Sequence, residues 1–190
     1  MWVFKLLKTI IKLMKFTNSL IVTKNKKYYD KRGYFKELLK DKNFKKRFPF
    51  IVMSYSKKNV LRGLHIQLKN SQGKYISVLK GKIFDVAVDL RKRSKSFGKF
   101  YSNIISEQNS KSVYIPPGFA HGFLGLENNN YVIYSCTNFR DKKSEIGIKF
   151  NDPVLKINWP KKKYIISVKD KKNISFEQFK NRYIKWKRRF

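Results

Sequence analysis

The chain has 190 residues, of which 42% are hydrophobic and 16% aromatic. That length predicts one domain with terminal appendages, and that apolar content is enough for a core and argues against a disordered chain. Lysine and arginine number 45 against 12 acidic residues, a net charge of +33. The excess is mostly lysine scattered along the chain, which favours compositional drift over a nucleic-acid or membrane partner.

The first sixteen residues form an apolar extension interrupted by four lysines. No uninterrupted apolar run approaches the roughly 18 residues needed to span a bilayer, and no small-residue cleavage site follows, so we expect neither a membrane span nor a signal peptide. We predict that 1–16 docks on its own domain or on a partner subunit. A basic amphipathic segment resting on a membrane surface is the alternative.

The middle of the chain is predicted to be β. Apolar residues run through 75–79, a turn containing Gly81 follows, and 83–90 ends in alternation. Further strands are predicted over 100–105, 112–115 and 131–137. Many short strands with Gly, Asn, Ser or Pro between them predict a sandwich, barrel or jelly roll.

Helix signals are confined to the ends of the chain, and the clearest covers 175–189. Ser175 is the predicted N-cap, and the last turns are basic. The aromatic residues form one stripe that we expect to pack on the domain or on a second subunit. They are Phe176, Phe179, Tyr183 and Trp186.

Cys136 is the only cysteine, so no disulfide can form within the chain, and we expect a buried, inert thiol in a strand. The absence of a disulfide fits a reducing compartment, and we predict a cytoplasmic protein.

Only two histidines are present, His65 and His121. His65 follows Gly63, which allows a bulge that could re-aim Arg62 or His65, and His121 follows a tight turn. Two histidines cannot build the three-histidine metal site common in jelly rolls, and the glycine-rich phosphate loops are absent from the sequence. We therefore predict no metal and no cofactor.

Nine short motifs occur in a fixed order between Tyr28 and Asp170, and in that order they resemble the dTDP-4-dehydrorhamnose 3,5-epimerase family of nucleotide-sugar epimerases. The resemblance implies an all-β, cupin-type double-stranded β-helix (jelly roll) over 17–170, with a helix in 171–190, and a homodimer with strands exchanged between subunits. The motifs are DKRGYFKE at 30–37, NVLRGLH at 59–65, QGK at 72–74, FDVAVDLR at 84–91, PGFAHGF at 117–123, YSCT at 134–137, NDP at 151–153, WP at 159–160 and KD at 169–170.

The resemblance implies inversion of C3 and C5 of dTDP-4-dehydro-6-deoxy-D-glucose through an enolate, a step in the biosynthesis of dTDP-rhamnose for surface polysaccharide. His65 would be the base, since imidazole exchanges protons near neutral pH. Asp170 would orient it, Lys74 would stabilise the enolate oxygen, and Tyr134 would return a proton from the opposite face.

The resemblance also implies a set of residues that bind the substrate. Arg32, Arg62 and Lys169 are suited to diphosphate or sugar oxygens. Without the motifs, each would be read as an ordinary surface salt bridge. The other matching positions are Tyr28, Glu37, His121, Phe139, Arg140 and Glu145.

Two departures leave the substrate's identity open. Phe50 and Val52 stand where the family commonly has Gln and Asn, and Phe139 and Arg140 stand where it has two aromatics, one of which stacks on the base. A guanidinium can also stack. An epimerase that acts on one centre, or on another nucleotide sugar, is the first alternative. A non-enzymatic binding protein, for nucleic acid or another ligand, is favoured only by the charge.

Overall fold

The computed structural model describes residues 19–40, 42, 44, 46–160 and 163–187, with side chains up to Arg182. The extension predicted over 1–16 lies outside this range, as do the side chains of Tyr183 and Trp186. Within it, no helix is both long and apolar enough to cross a bilayer.

Short strands account for most of the regular structure. They are β1 (Ile21–Lys24), β2 (Lys27–Asp30), β3 (Gly33–Lys36), β4 (Phe50–Ser56), β5 (Val60–Gln67), β6 (Lys74–Lys80), β7 (Lys82–Asp89), β8 (Phe100–Ser106), β9 (Lys111–Ile115), β10 (Phe119–Gly125), β11 (Asn130–Cys136), β12 (Glu145–Gly147) and β13 (Ile165–Ile166). The helices are α1 (Val168–Lys171) and α2 (Phe176–Lys187), and a 3₁₀ turn covers Lys142–Ser144.

The strands form two facing sheets and a separate hairpin. The first sheet has the order β1-β9-β6-β11-β4, with antiparallel pairing throughout. The second has the order β12-β5-β10-β7-β8, and β13 adds to β5 in parallel. Strands β2 and β3 pair only with each other among the described strands. Apart from β7 and β8, neighbouring strands in the two sheets are not consecutive in the sequence, which confirms the predicted all-β jelly roll.

Alternation along the strands places one apolar face of each sheet between the sheets. Ile76, Val78 and Val132 come from the first sheet, and Ile83 and Phe123 from the second; all five are buried in one cluster. This cluster closes one end of the space between the sheets and leaves the other end open.

The outer face of the second sheet is covered by the C-terminal segment. The predicted helix forms as α2, and Phe176 and Phe179 are buried against Leu64 and Val88. Ser175 caps it as predicted: its hydroxyl accepts from the Gln178 amide at 3.1 Å, and the Gln178 side chain accepts from the Ser175 amide at 2.9 Å. The short helix α1 was not predicted.

A buried carboxylate organises the loop after β7. Asp89 is fully buried and accepts hydrogen bonds from the Arg91 guanidinium at 2.7 and 2.9 Å, Ser94 at 2.6 Å and Ser96 at 2.7 Å. Burial opposes ionisation of Asp89, but these donors outweigh it and lower the pKa from 3.8 to about 2. The ionised carboxylate therefore stabilises the folded state.

We expect Asp89→Asn to lower the free energy of unfolding at pH 7 by about 2 kcal/mol. A carboxyl whose pKa is lowered by folding contributes its stability above 3.8 and loses it as the pH falls towards 2. The difference between wild type and variant should therefore shrink across that window in denaturant titrations. Glu127→Gln, at a half-exposed ion pair with Lys82, should leave the midpoint unchanged, and an equal loss there would contradict the assignment.

Candidate active site

The open end of the space between the sheets holds a cavity of about 710 Å³. Its walls come from the inner faces of both sheets and from the segment that contains α1. The first sheet contributes Phe50, Val52, Ser54, Lys74, Tyr134 and Cys136; the second contributes Arg62, His65, His121, Phe123 and Glu145; the C-terminal segment contributes Ser167, Lys169 and Asp170.

A bulge at Gly63 lets both Arg62 and His65 face this cavity. His65 pairs with His121 and Arg62 with Phe123, so three steps on β5 match two on β10. Gly63 has φ +104°, and a Cβ there would lie 2.6 Å from the His121 carbonyl oxygen. The bulge that the sequence allowed is therefore present, and glycine is the residue that fits it.

His65 is held by a carboxylate 105 positions further along the chain. Its Nε2 lies 2.6 Å from Asp170 Oδ1, and Asp170 Oδ2 accepts from the Gly63 amide at 3.3 Å. Burial opposes ionisation of Asp170, but the His65 ring and the Gly63 amide lower its pKa overall. An ionised Asp170 fixes the proton on Nε2 and leaves Nδ1 able to accept one.

Tyr134 faces His65 from the other sheet. Its hydroxyl lies 3.0 Å from Ser54 Oγ. Burial raises the pKa of Tyr134 far above the usual value, while the Ser54 hydrogen bond and the Arg62 charge act in the opposite direction. Tyr134 therefore carries a neutral hydroxyl at physiological pH. It can donate a proton, but the phenolate that remains needs a hydrogen-bond donor or a positive charge to stabilise it.

Lys74 is a partly buried lysine on β6, the strand next to that of Tyr134 in the first sheet. It pairs in register with Cys136, and within the described residues its amine has no ion pair or hydrogen bond. Burial lowers the pKa of Lys74. An unpaired ammonium in a cavity is available to a negative charge that forms on a ligand. Cys136 is buried as predicted, and burial raises the pKa of its thiol.

A second group of charges lies on the cavity wall around Glu145. Its carboxylate accepts from Arg140 Nε at 3.0 Å and Nη2 at 3.3 Å, and pairs with the Lys169 ammonium. Burial opposes ionisation, but these two cations lower the pKa of Glu145 to about 2. The bidentate contact holds the Arg140 guanidinium plane in place.

His121 also forms a buried pair with a carboxylate. Its Nε2 lies 2.6 Å from Asp85 Oδ2, and both side chains are almost fully buried. The ring lies edge-on to Tyr134, with 6.0 Å between centroids. The cavity thus has one histidine–aspartate pair beside Tyr134 and another on the His65 side.

The cavity brings together nine of the thirteen predicted site residues. Phe139 lies at the rim of the cavity, where its ring packs on Phe50 with 5.8 Å between the ring centroids. Tyr28, Arg32 and Glu37 do not line the cavity. Arg32 is almost fully exposed and pairs with Asp30 in the β2–β3 hairpin. The nine are His65, Tyr134, Asp170, Lys74, Arg62, His121, Arg140, Glu145 and Lys169.

Sequence reasoning did not identify Ser54 or Asp85 as part of the site. Both lie on inward-facing strand positions, and Asp85 also lies within the motif at 84–91, but neither signal assigns them a contact in the site. In the described part of the chain, no three His, Cys, Asp or Glu side chains meet as metal ligands would. The donors present instead suit proton transfer: a fixed imidazole, a neutral phenol and a partly buried amine around one cavity.

Comparison with known proteins identifies the family. Residues 15–178 match the family model described as dTDP-4-dehydrorhamnose 3,5-epimerase. The protein of that name from Methanothermobacter thermautotrophicus is 41% identical over 159 residues, covering 80% of this chain and 86% of that one. The one from Shigella flexneri is 39% identical over 157 residues, covering 79% and 87%.

Two solved structures are also similar to this chain. The dTDP-6-deoxy-D-glucose-3,5-epimerase of Legionella pneumophila, in complex with dTDP-4-keto-L-rhamnose, gives a TM-score of 0.81 at 38% identity, over 84% of this chain and 91% of that one. The dTDP-4-dehydrorhamnose 3,5-epimerase of Sulfolobus tokodaii gives 0.78 at 43% identity, over 84% and 91%.

We expect Gly63→Ala to lower the free energy of unfolding by about 2–4 kcal/mol, because the new Cβ combines a strained φ with a collision against β10. Gly33→Ala is the matched control: φ is +129° there, but nothing lies within 4 Å of the added Cβ. It should cost about 1 kcal/mol or less. Chemical denaturation measures both, and equal losses would show that the close approach of β5 to β10 is unimportant.

Proposed function

This chain belongs to the dTDP-4-dehydrorhamnose 3,5-epimerase family, and from that membership and the cavity we propose that it inverts C3 and C5 of dTDP-4-dehydro-6-deoxy-D-glucose, giving dTDP-4-dehydro-L-rhamnose. The observation that carries the proposal is the placement of His65–Asp170 and Tyr134–Lys74 on facing sheets around one cavity. It is an isomerase of dTDP-rhamnose biosynthesis.

His65 removes the proton in this proposal. Protons on carbons next to the 4-keto group are acidic because the resulting carbanion is an enolate. Asp170 holds Nε2 of the ring, so Nδ1 is the nitrogen that takes the proton. The Asp170 carboxylate then stabilises the imidazolium that forms.

Tyr134 supplies the new proton from the other side of the sugar. Inversion requires removal on one face and return on the opposite face, and one residue cannot do both. His65 lies on the second sheet and Tyr134 on the first, so a sugar bound between the sheets has one on each side.

Lys74 stabilises the charge on the enolate oxygen between these two steps. Its amine forms no ion pair among the described side chains, and Glu145 and Asp85 act on it only at a distance, favouring its charged form, so the developing oxyanion meets a cation that no carboxylate contacts. Such a charge acts strongly in a site from which water is largely excluded.

The apolar side chains of Phe50 and Val52 favour the alternative of a related epimerase with a different substrate or a single inverted carbon. Both side chains line the cavity and offer no hydrogen bond where the family commonly has two amides. A different nucleotide-linked 4-keto sugar, or inversion at one carbon only, would fit that change in polarity. We prefer inversion at both C3 and C5, because the proposed base His65 and the proposed acid Tyr134 are both present.

We further propose that the protein is a homodimer in which the β2–β3 hairpin reaches the partner's cavity. In a single chain, Lys36 Nζ on this hairpin donates to the Val78 carbonyl at 3.2 Å, roughly 13 Å along β6 from Lys74. Tyr28, Arg32 and Glu37 can then contact a substrate only in another subunit.

A cytoplasmic location is also part of the proposal. The only cysteine is buried in a strand and unpaired, which suits a reducing compartment.

Deuterium exchange tests the proposed reaction. With dTDP-4-keto-6-deoxyglucose in D2O, NMR should show deuterium at both C3 and C5 of the product. His65→Ala should reduce exchange by at least about 10²-fold, and Tyr134→Phe should still exchange at C3 but invert poorly. Tyr131→Phe, on the same strand but outside the cavity, is the matched control and should behave as wild type. Exchange at C3 alone would support the alternative, and none at all would overturn the epimerase reading.

Complementation tests the shared site. Arg32→Ala and His65→Ala should each be nearly inactive alone while remaining dimeric by light scattering. Co-expressed, they should regain about a quarter of wild-type turnover, since half the dimers are mixed and each has one intact site. Absence of recovery would mean that Arg32 acts within its own subunit or not at all.

A further inference from the structure

The Tyr134 hydroxyl has one hydrogen-bond partner among the described residues, the Ser54 hydroxyl at 3.0 Å. Ser54 lies on β4 opposite Val132, two pairs away from Tyr134 along the β4–β11 ladder, and both side chains face the cavity. The His121 ring, which lies edge-on to Tyr134, has its Nε2 occupied by Asp85, and no hydrogen bond joins it to Tyr134.

We propose that Ser54 is a positioning residue that acts through Tyr134, holding its hydroxyl toward the cavity during proton donation and then passing a proton from solvent to the phenolate. The inference rests on the proposed epimerase function. It assigns to β4 a part in the reaction that the motifs did not indicate.

Donation leaves Tyr134 in an unfavourable state. The O–H bond of Tyr134 breaks as a C–H bond forms from the enolate's electron pair, and a buried phenolate remains. Burial disfavours that anion strongly. The Ser54 hydroxyl can donate to the phenolate oxygen, and the Arg62 charge assists from the side.

The strand that carries Ser54 also gives the proton a route back. β4 is the edge of the first sheet, and no described strand pairs with its outer side. Ser54 and Tyr134 are both partly buried, but Ser54 stands on the edge strand while Tyr134 stands on β11, one strand further in. Ser54 gives its proton to Tyr134 and takes one from water, while His65 releases to solvent the proton it removed, so the cycle has no net proton change.

Hydrogen bonds hold Arg62 near Tyr134, but they do not take the place of the Ser54 contact. The Arg62 guanidinium donates to Ser56 Oγ at 2.9 Å and to the Tyr55 carbonyl at 2.9 Å, which locks Arg62 onto β4. Arg62 therefore contributes charge near Tyr134, while the hydroxyl contact comes from Ser54.

The test is the partition of the enolate between exchange and inversion. With dTDP-4-keto-6-deoxyglucose in D2O, NMR counts molecules that gain deuterium with and without inverting. In Ser54→Ala, we expect exchange within about threefold of wild type but at least about tenfold fewer inversions per exchange event. Ser54→Thr, which keeps the hydroxyl on a residue suited to a strand, should restore the wild-type ratio.

A matched control separates this role from a structural one. Ser77→Ala removes a hydroxyl that shares a 2.8 Å hydrogen bond with Ser112, buried in the same sheet but outside the cavity. It should leave the ratio unchanged. An unchanged ratio in Ser54→Ala, or an equal fall of exchange and inversion, would overturn the role of Ser54 alone. Absence of exchange in the wild type would overturn the epimerase function and this inference with it.

Discussion

The Asp170 carboxylate accepts hydrogen bonds from two groups on β5, the His65 ring and the Gly63 amide. These contacts connect the end of the domain to the strand that carries the bulge. Because Ser167 caps α1 and α1 places Asp170 against β5, the C-terminal segment both covers the second sheet and holds the His65 ring. The position of His65 thus depends on the bulge, on α1 and on the packing of α2 together.

Two polar groups in the cavity have fewer partners than a buried carboxylate elsewhere in the protein. Buried Asp89 accepts four side-chain hydrogen bonds from Arg91, Ser94 and Ser96, whereas partly buried Lys74 has no ion pair within the described residues. Tyr134 has a single hydrogen bond. Each of these groups costs stability in the free protein, and in the proposed mechanism each matches a charge that exists only during the reaction. The stability lost at the open end is offset by the dry cluster between the sheets.

The sequence predicted the parts of this structure that local rules control. Alternation located the central strands, Gly63 indicated the bulge, and Ser175 marked the start of α2. The order of the motifs, through the family resemblance, assigned residues as far apart in sequence as His65 and Asp170 to one site. The domain boundaries and the roles of the site residues remain predictions.

The remaining features depend on contacts that no local pattern encodes. Ser54 meets Tyr134 across 80 residues, and His121 meets Asp85 across 36. A serine in a strand gives no sign of its partner until strand order and register are known. The same applies to Arg32, whose motif is present but which lies outside its own chain's cavity.

Strand β4 also bears on how the protein behaves in concentrated solution. Phe50–Ser56 contains no charged residue, no proline and no glycine, and in a lone chain it is an unpaired edge. Such a segment is a template for cross-β self-association. The charge of +33 keeps separate chains apart by repulsion, and salt screens that repulsion over about 10 Å at 0.1 M. The lysine-rich composition, whatever its origin, therefore provides colloidal protection to a strand that lacks charged residues of its own.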